Sequence, residues 1–281
     1  MYNARIVTDA GKTFRFGYEY GTIFDISPLS GIDVKITTSQ GFQQIGETVE
    51  NQAVGGITRT IKGVFVNKSD SLKKTMLAAL PVFTTGKLFF NNDYYFDFVV
   101  KKSPEILKTS SGKSTFSMML QCPDPFWHLT KESSYVIGGY TPAFTLPAKY
   151  DAHIFGIKSD TFINCFNEGD TDVPFTLKLF AESDVKNAGI INVVTFQKIR
   201  VLKDLIAGDV VTINRNGGRL YVTLTRDGKT TDIIHLLDEN SDLFWMGQGD
   251  NVLKMTADDG LEYLTASVSF NPSLMGVIDA T

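Results

Sequence analysis

Three histidines, two cysteines and a few paired acids are the side chains of this 281-residue sequence best suited to catalysis or metal binding. His128, His153 and His235 lie outside metal-ligand spacing of one another, and Cys122 and Cys165 fit no zinc pattern, so each thiol is expected to be free and buried. Asp170 with Asp172, Asp238 with Glu239, and Asp258 with Asp259 are carboxylate pairs of the kind that can flank a glycosidic bond. All of them sit among turn residues, where acids are well solvated without any further role. There is no G-x-S-x-G elbow, no G-x-x-x-x-G-K-[ST] loop and no H-E-x-x-H helix. Gly247-Gln248-Gly249-Asp250-Asn251 resembles half of a phosphate loop, but lacks the strand and helix that would frame one and reads as a tight turn. The sequence therefore assigns no catalytic, cofactor or metal residue and points away from an enzyme.

Composition narrows the choice further. With 43% hydrophobic and 21% charged residues, 24 Gly and 9 Pro, the chain is neither disordered nor collagen-like, and its length suits two domains. Residues Met1 to Gly17 lack a secretion signal, and no apolar run is long enough to span a membrane, so a soluble product of a cytoplasm is expected. A net charge of −4 argues against capture of nucleic acid. The charge is uneven: through Thr130 there are 14 Lys/Arg against 11 Asp/Glu, and beyond it 13 against 20, as two parts with different partners would have.

The elements that would position any site are mostly strands. Ile32, Val34 and Ile36, then Phe116, Met118, Leu120 and Cys122, then Phe175, Leu177 and Leu179 alternate with polar residues. Asn91-Asn92-Asp93, Asn216-Gly217-Gly218 and Asp227-Gly228 supply hairpin turns between β-rich runs, which include Asp232 to Leu237 around His235. One helix is predicted from the stripe Leu72, Thr75, Met76, Ala79, Leu80 and Phe83, capped by Ser69 or Asp70 and ended by Pro81.

Three segments stand out. Ser39 to Gly56 is polar and aperiodic, a long loop or an extended arm. Lys87 to Lys102 interleaves basic residues with Phe89, Phe90, Tyr94, Tyr95, Phe96 and Phe98 in a predicted hairpin, which an acidic chain puts against protein better than against single-stranded nucleic acid. Pro123-Asp124-Pro125-Phe126-Trp127 cannot continue a central strand and reads as a stiff connector, so the domain junction is placed near residue 130.

In order and spacing these pieces resemble the distal tail protein family of siphophage tail tips and prophage remnants. In the first half the likeness rests on Gly55-Gly56-Ile57-Thr58-Arg59-Thr60-Ile61, the Leu72 to Leu80 helix and Cys122-Pro123-Asp124-Pro125-Phe126-Trp127. In the second it rests on Phe166-Asn167-Glu168-Gly169-Asp170, Leu205-Ile206-Ala207-Gly208-Asp209, Gly247 to Asn251 and Phe270-Asn271-Pro272. The resemblance implies a mainly β fold in two domains. Residues 1–130 would form a β-sandwich with one helix and a projecting hairpin that closes into a homohexameric ring, and 131–281 a galectin-like antiparallel β-sandwich. It implies a structural adaptor at the virion tail tip, assembled in the host bacterial cytoplasm, whose partners are its own copies, the tail tube protein, the tail-associated tip protein and a receptor-binding protein. Neither cofactor, nucleic acid nor membrane insertion is implied. Ring closure needs two unlike patches, here Phe42 and Ile45 in the arm and Tyr94 and Tyr95 in the aromatic hairpin, with Pro123 to Trp127 at the junction. The alternatives are a carbohydrate-binding module for host surface glycans and a glycosidase using unassigned carboxylates. No lectin constellation is evident, and Trp245, beside Leu243 and Phe244, reads as core.

Overall fold

A computed structural model describes residues 3–66, 70–108, 113–138, 140–141, 157–158, 161–216 and 218–277. The chain is mainly β and falls into two compact units, Met1–Lys131 together with Ser273–Thr281, and Glu132–Pro272. The expected boundary near 130 assigned all of 131–281 to one domain. Ser273–Thr281 instead belongs with the first unit.

In the first unit the strands are β1 (Ala4–Thr8), β2 (Thr13–Phe16), β3 (Thr22–Ser27), β4 (Val34–Ser39), β5 (Thr48–Val54), β6 (Ile57–Phe65), β7 (Thr85–Phe90), β8 (Tyr94–Lys108), β9 (Ser114–Cys122) and β10 (Trp127–Leu129). Apart from β4 and β5 they form one antiparallel sheet in the order β2-β1-β7-β8-β9-β6-β3, extended from β8 by β10 and then by Ser273–Leu274. Alternation buries one face of each strand: Ile6 on β1, Phe14 and Phe16 on β2, Leu88 and Phe90 on β7, Phe116, Met118 and Leu120 on β9. The sheet curls until its end strands β2 and β3 meet without pairing as a ladder, with Phe16 of β2 5.4 Å from Phe24 of β3 and 5.9 Å from Phe116 of β9. Two register shifts bend β8 between Val100 and Glu105, which lets one long strand follow that curl.

The predicted helix is α1 (Asp70–Ala79). Met76, Ala79 and Leu80 are buried and Leu72 is partly buried, but Phe83, beyond Pro81, is exposed at a left-handed φ of 65° and leaves the stripe. Asp70 takes a 3.0 Å ion pair from Lys73 in the first turn, while Ser69 lies outside the described residues. The β7–β8 turn is tight, with Asn91 and Asn92 at φ 49° and 64°, the conformation that matches hairpin twist.

The second unit is a sandwich of two antiparallel sheets around one core. The first runs Ser133–Gly138, Leu264–Phe270, Thr176–Ala181, Val210–Asn216, Arg219–Arg226, Lys229–Asp232. The second runs Phe162–Asn167, Gly249–Thr256, Gly189–Asn192, Lys198–Arg200. Leu177, Leu179, Val211, Val222 and Val268 face Cys165, Ile190, Leu253 and Met255. The run expected to be β through Leu237 stops at Asp232, and His235 lies in a short 3-10 turn, Ile234–Leu236, because Asp232 accepts the Ile234 N–H and curls the chain. Asp227-Gly228 makes the predicted hairpin turn at φ 51° and 75°; Gly217 of the other glycine turn lies outside the described residues.

Beneath that hairpin Asp209 is wholly buried, accepting from Arg226 Nε at 2.7 Å and from the Ile206 N–H at 2.9 Å. The hydrogen bonds of Arg226 hold its carboxyl below the usual carboxylate range. A depressed native value means stability that is present at neutral pH and lost as acid protonates the native carboxylate. Asp209→Asn should therefore cost about 2 kcal/mol at pH 7, the scale of a charge-assisted hydrogen bond, and the gap to wild type should narrow below about pH 4. Urea unfolding at pH 7 and pH 3, followed on the second unit, checks both the size and the sign.

Candidate functional site

Three features of the first unit can engage a partner or hold the unit together. The first joins the two sequence motifs. Gly56 passes so close to β9 that a Cβ there would stand 2.7 Å from the Cys122 carbonyl oxygen, so of the two glycines Gly56 makes the close backbone approach. Register then places Ile57 opposite Cys122 and Arg59 opposite Leu120. Arg59 is 1% exposed and sits in the corner formed by two rings, 4.5 Å from the Phe96 centroid and 4.3 Å from that of Trp127, donating from Nη2 to the Pro125 carbonyl at 2.7 Å. Burial pushes the guanidinium below its ordinary pKa, with Cys122 and Asp124 opposing. Trp127 is fully buried and donates from Nε1 to the Leu29 carbonyl at 2.9 Å. Burial pushes Asp124 up, but bonds from His128 and from the Phe126 N–H outweigh it and leave the carboxyl below its usual range. Within Pro123 to Trp127, Pro125 and Trp127 are thus buried in the first unit as a plug, while Pro123 stays exposed. Cys122 and Cys165 are buried free thiols, each pushed up to about 12 by burial.

The second feature is the arm. Strands β4 and β5 form a separate two-stranded ribbon between β3 and β6, and every residue from 33 to 56 is exposed. The alternation of Val34 and Ile36 led to an expected buried face, yet they are 45% and 58% exposed, with Val49 and Val54 alongside. At the tip Phe42 and Ile45 stand wholly in solvent, at 96% and 102%. Exposed apolar side chains clustered in this way are the kind of surface that can engage a partner.

The third feature is a row across the outer face of the sheet. Register aligns Arg15 (β2), Arg5 (β1), Phe89 (β7), Tyr95 (β8), His128 (β10) and Ser273. Neighbours touch along much of it: Arg5 over Phe89 at 4.7 Å, Phe89 to Tyr95 at 5.8 Å, Tyr95 to His128 at 5.2 Å, and Ser273 Oγ to His128 Nδ1 at 2.8 Å. Lys87 lies over Tyr95 at 4.3 Å. Tyr94 and Tyr95, named from sequence as an interface patch, are half-buried beside Leu129 and His128, whereas Phe42 and Ile45 are not covered at all. Sequence reasoning missed Arg5 and Arg15. They sit symmetrically about the turn at Asp9-Ala10-Gly11, so a hairpin centred there already places them opposite each other.

Three of the acids weighed for chemistry are engaged in hydrogen bonds or ion pairs that tie the second unit together. Asp258 pairs with Arg200 and accepts from Asn187 at 2.7 Å; Asp238 accepts from the Asn240 N–H at 2.9 Å; Asp172 accepts from the Gln248 N–H at 3.3 Å. Asn251 ties Gly247 and Gly249 into the expected tight turn. His153 lies outside the described residues. Trp245 is a correction: it is 44% exposed under Arg215, 5.2 Å from the ring, because the chain turns Phe244 and Met246 inward and Trp245 out. The cavity beside it is about 20 Å³. Among the described residues no helix is long and apolar enough to cross a membrane.

Residues 168–272 match the family model described as the siphovirus-type tail component, C-terminal domain. A comparison with curated proteins by sequence finds no match. Among solved structures, the Dit protein (gp 19.1) of phage SPP1, described as a paradigm of the hub adsorption apparatus in phages infecting Gram-positive bacteria, is similar with a TM-score of 0.67 at 9% identity, over 96% of this chain and 98% of that one. A chain of the phage P2 baseplate in its activated conformation with Ca gives 0.52 at 10% identity, over 98% and 99%. The same baseplate with Sr gives 0.50 at 11%, over 96% and 98%. The curled sheet with its arm and the sandwich that follows it therefore share the Dit fold, and residues 168–272 of the second unit match the siphovirus-type tail component, C-terminal domain, by sequence.

Proposed function

We propose that this chain is a non-enzymatic adaptor of the virion tail tip, whose first unit closes into a homohexameric ring joining the tail tube to the tail-associated tip protein and the receptor-binding apparatus. The observation that carries this reading is the arm: 24 successive residues, 33 to 56, are exposed, and the apolar tip of Phe42 and Ile45 has nothing of its own unit to rest on. A ring is built from one patch meeting a different patch on the next copy. The arm supplies the first, and the row of Phe89 and Tyr95 on the outer sheet face supplies the second. In this reading Tyr94 and Tyr95 receive, and Phe42 and Ile45 insert. The net positive charge through Thr130 and the net negative charge beyond it suit two parts with different partners.

Mass decides the matter. Six copies of 31.1 kDa give a particle of about 187 kDa, seen end-on as a hexagonal ring with a central hole in negative stain. Phe42→Asp with Ile45→Asp should reduce the particle to protomers at the same concentration with unchanged circular dichroism. A wild-type chain that remains a protomer at every concentration, alone and with tail tube protein, refutes the ring. Rings that persist in the double variant refute the arm's part in it.

A further inference from the structure

We infer that Arg5 and Arg15 form a docking site for a carboxylate, supplied by Glu50 on the arm of a second copy. The inference rests on the ring reading and names the polar contact within it.

The two arginines occupy directly opposed positions on β1 and β2. Like charges so placed repel, and an isolated hairpin gains nothing from them. Among the described residues neither guanidinium has an ion-pair partner, and Arg5 Nε is buried with no hydrogen-bond acceptor. Both heads are nonetheless held by rings, Arg5 over Phe89 at 4.7 Å and Arg15 over Tyr20 at 5.5 Å. They line a cavity of about 220 Å³ with Asn3, Ala4, Tyr20 and Asn92, and no acid lines it. Stacked, paired guanidiniums present donors in the fork geometry that binds a carboxylate or phosphate through two hydrogen bonds. The cavity is smaller than those that enclose a drug-sized ligand, which suits one acidic side chain.

Charge and reach both favour the arm as the donor. Residues 36–58 hold Glu47 and Glu50 and no Lys or Arg, so the arm is an acidic ribbon. Tyr95, Phe89, Arg5 and Arg15 lie on consecutive strands, so Tyr95 to Arg15 spans three interstrand steps, roughly 14 Å. From Ile45 to Glu50 the chain reaches at most roughly 16 Å. An arm lying along the row with its tip over Tyr95 thus brings Glu50 to the arginine pair.

Mixed-chain cross-linking tests this directly. Full-length chains carrying Arg15→Cys are mixed with chains carrying Glu50→Cys and mildly oxidised; the two native thiols are buried in their units and stay silent. A cross-linked pair is expected from the mixture and not from either chain alone. In parallel, Arg5→Gln with Arg15→Gln, and separately Glu47→Gln with Glu50→Gln, should each raise the protomer concentration needed for assembly at least tenfold. Exchanging the charges, Arg5→Glu and Arg15→Glu combined with Glu47→Arg and Glu50→Arg, should restore it. If wild type forms rings while neither variant changes the assembly and no cross-link forms, this inference falls and the ring stands. Weakening by the arginine changes alone, with the glutamate changes silent, assigns the site to another anion and overturns the arm as its source. A wild-type chain that never assembles removes the ring and this contact together.

Discussion

Trp127→Ala should cost the first unit about 4 kcal/mol, the middle of the range for truncating a buried aromatic ring. The indole is fully buried, edge-on to Phe96 at 4.8 Å and tilted against Phe90 at 5.7 Å, and its N–H is the donor to Leu29. Truncation leaves a cavity beside the buried Arg59 charge, takes away one of the two rings it lies over and removes one of the two hydrogen bonds to the Leu29 carbonyl, which keeps the Val277 N–H. For a unit of this size the loss corresponds to a fall of roughly 10 °C in its melting transition. Arg59→Met supplies the contrast. Arg59 Nε and Nη1 are buried without hydrogen-bond acceptors, so the guanidinium bears a desolvation cost that one bond to Pro125 and two ring faces only partly offset. Replacing a buried charge by an apolar chain of similar volume is often neutral, and Arg59→Met should stay within about 1 kcal/mol of wild type. Scanning calorimetry with hydrogen exchange on β6, β8 and β9 separates the cases. A mild Trp127→Ala with a severe Arg59→Met would mean that ionic contacts, and not ring packing, hold the plug.

The same plug shows what could be read in advance. Strand alternation was legible wherever one face meets a core, as at Phe116, Met118 and Leu120, because period two is imposed by the pleat itself. Alternation cannot say whether the apolar face has a partner in the same unit, and so Val34 and Ile36, which alternate equally well, lie on an exposed ribbon. The two prolines of Pro123-Asp124-Pro125 correctly marked the end of a strand, since neither can donate to a ladder. What followed them was illegible: Trp127 resumes pairing with β8's hairpin through His128 and Leu129, a long-range choice with no local signature. Nothing local marks Arg59 of β6 as buried, yet it is among the most deeply buried side chains of the unit, because two rings distant in sequence converge on it. For the candidate interface, the arm's existence could be seen in its composition. The receiving row could not, since it depends on the register of β2, β1, β7, β8 and β10 taken together.

Removing the residues after Pro272 should destabilise the first unit by about 3 kcal/mol and leave the second unchanged. Ser273–Leu274 pairs with β10, opposite His128 and Trp127, and Ser273 Oγ bonds His128 Nδ1 at 2.8 Å while His128 Nε2 stands 3.3 Å from Asp124. With a proton on Nε2 the ring donates to Asp124 while Nδ1 and the Ser273 hydroxyl share the other bond. Val277, 6% exposed, belongs to the first unit's core, and its N–H donates to Leu29 at 3.1 Å, the same carbonyl that Trp127 uses. Burying the valine contributes about 1.5 kcal/mol and each lost hydrogen bond about 1 kcal/mol, which sets the total. The tail returns to the first unit after the whole second sandwich has intervened, and this is thermodynamically cheap because closure entropy grows only with the logarithm of the span. Its removal also bares the edge of β10, so the truncated chain should self-associate at lower concentration than wild type. Urea unfolding with hydrogen exchange read separately on residues 4–131 and 132–272 provides the measurement. Unchanged protection of β8 and β10 in the truncated chain would show that the first unit is complete without its final strand, and Leu274→Pro, which removes a ladder donor without shortening the chain, should repeat most of the loss.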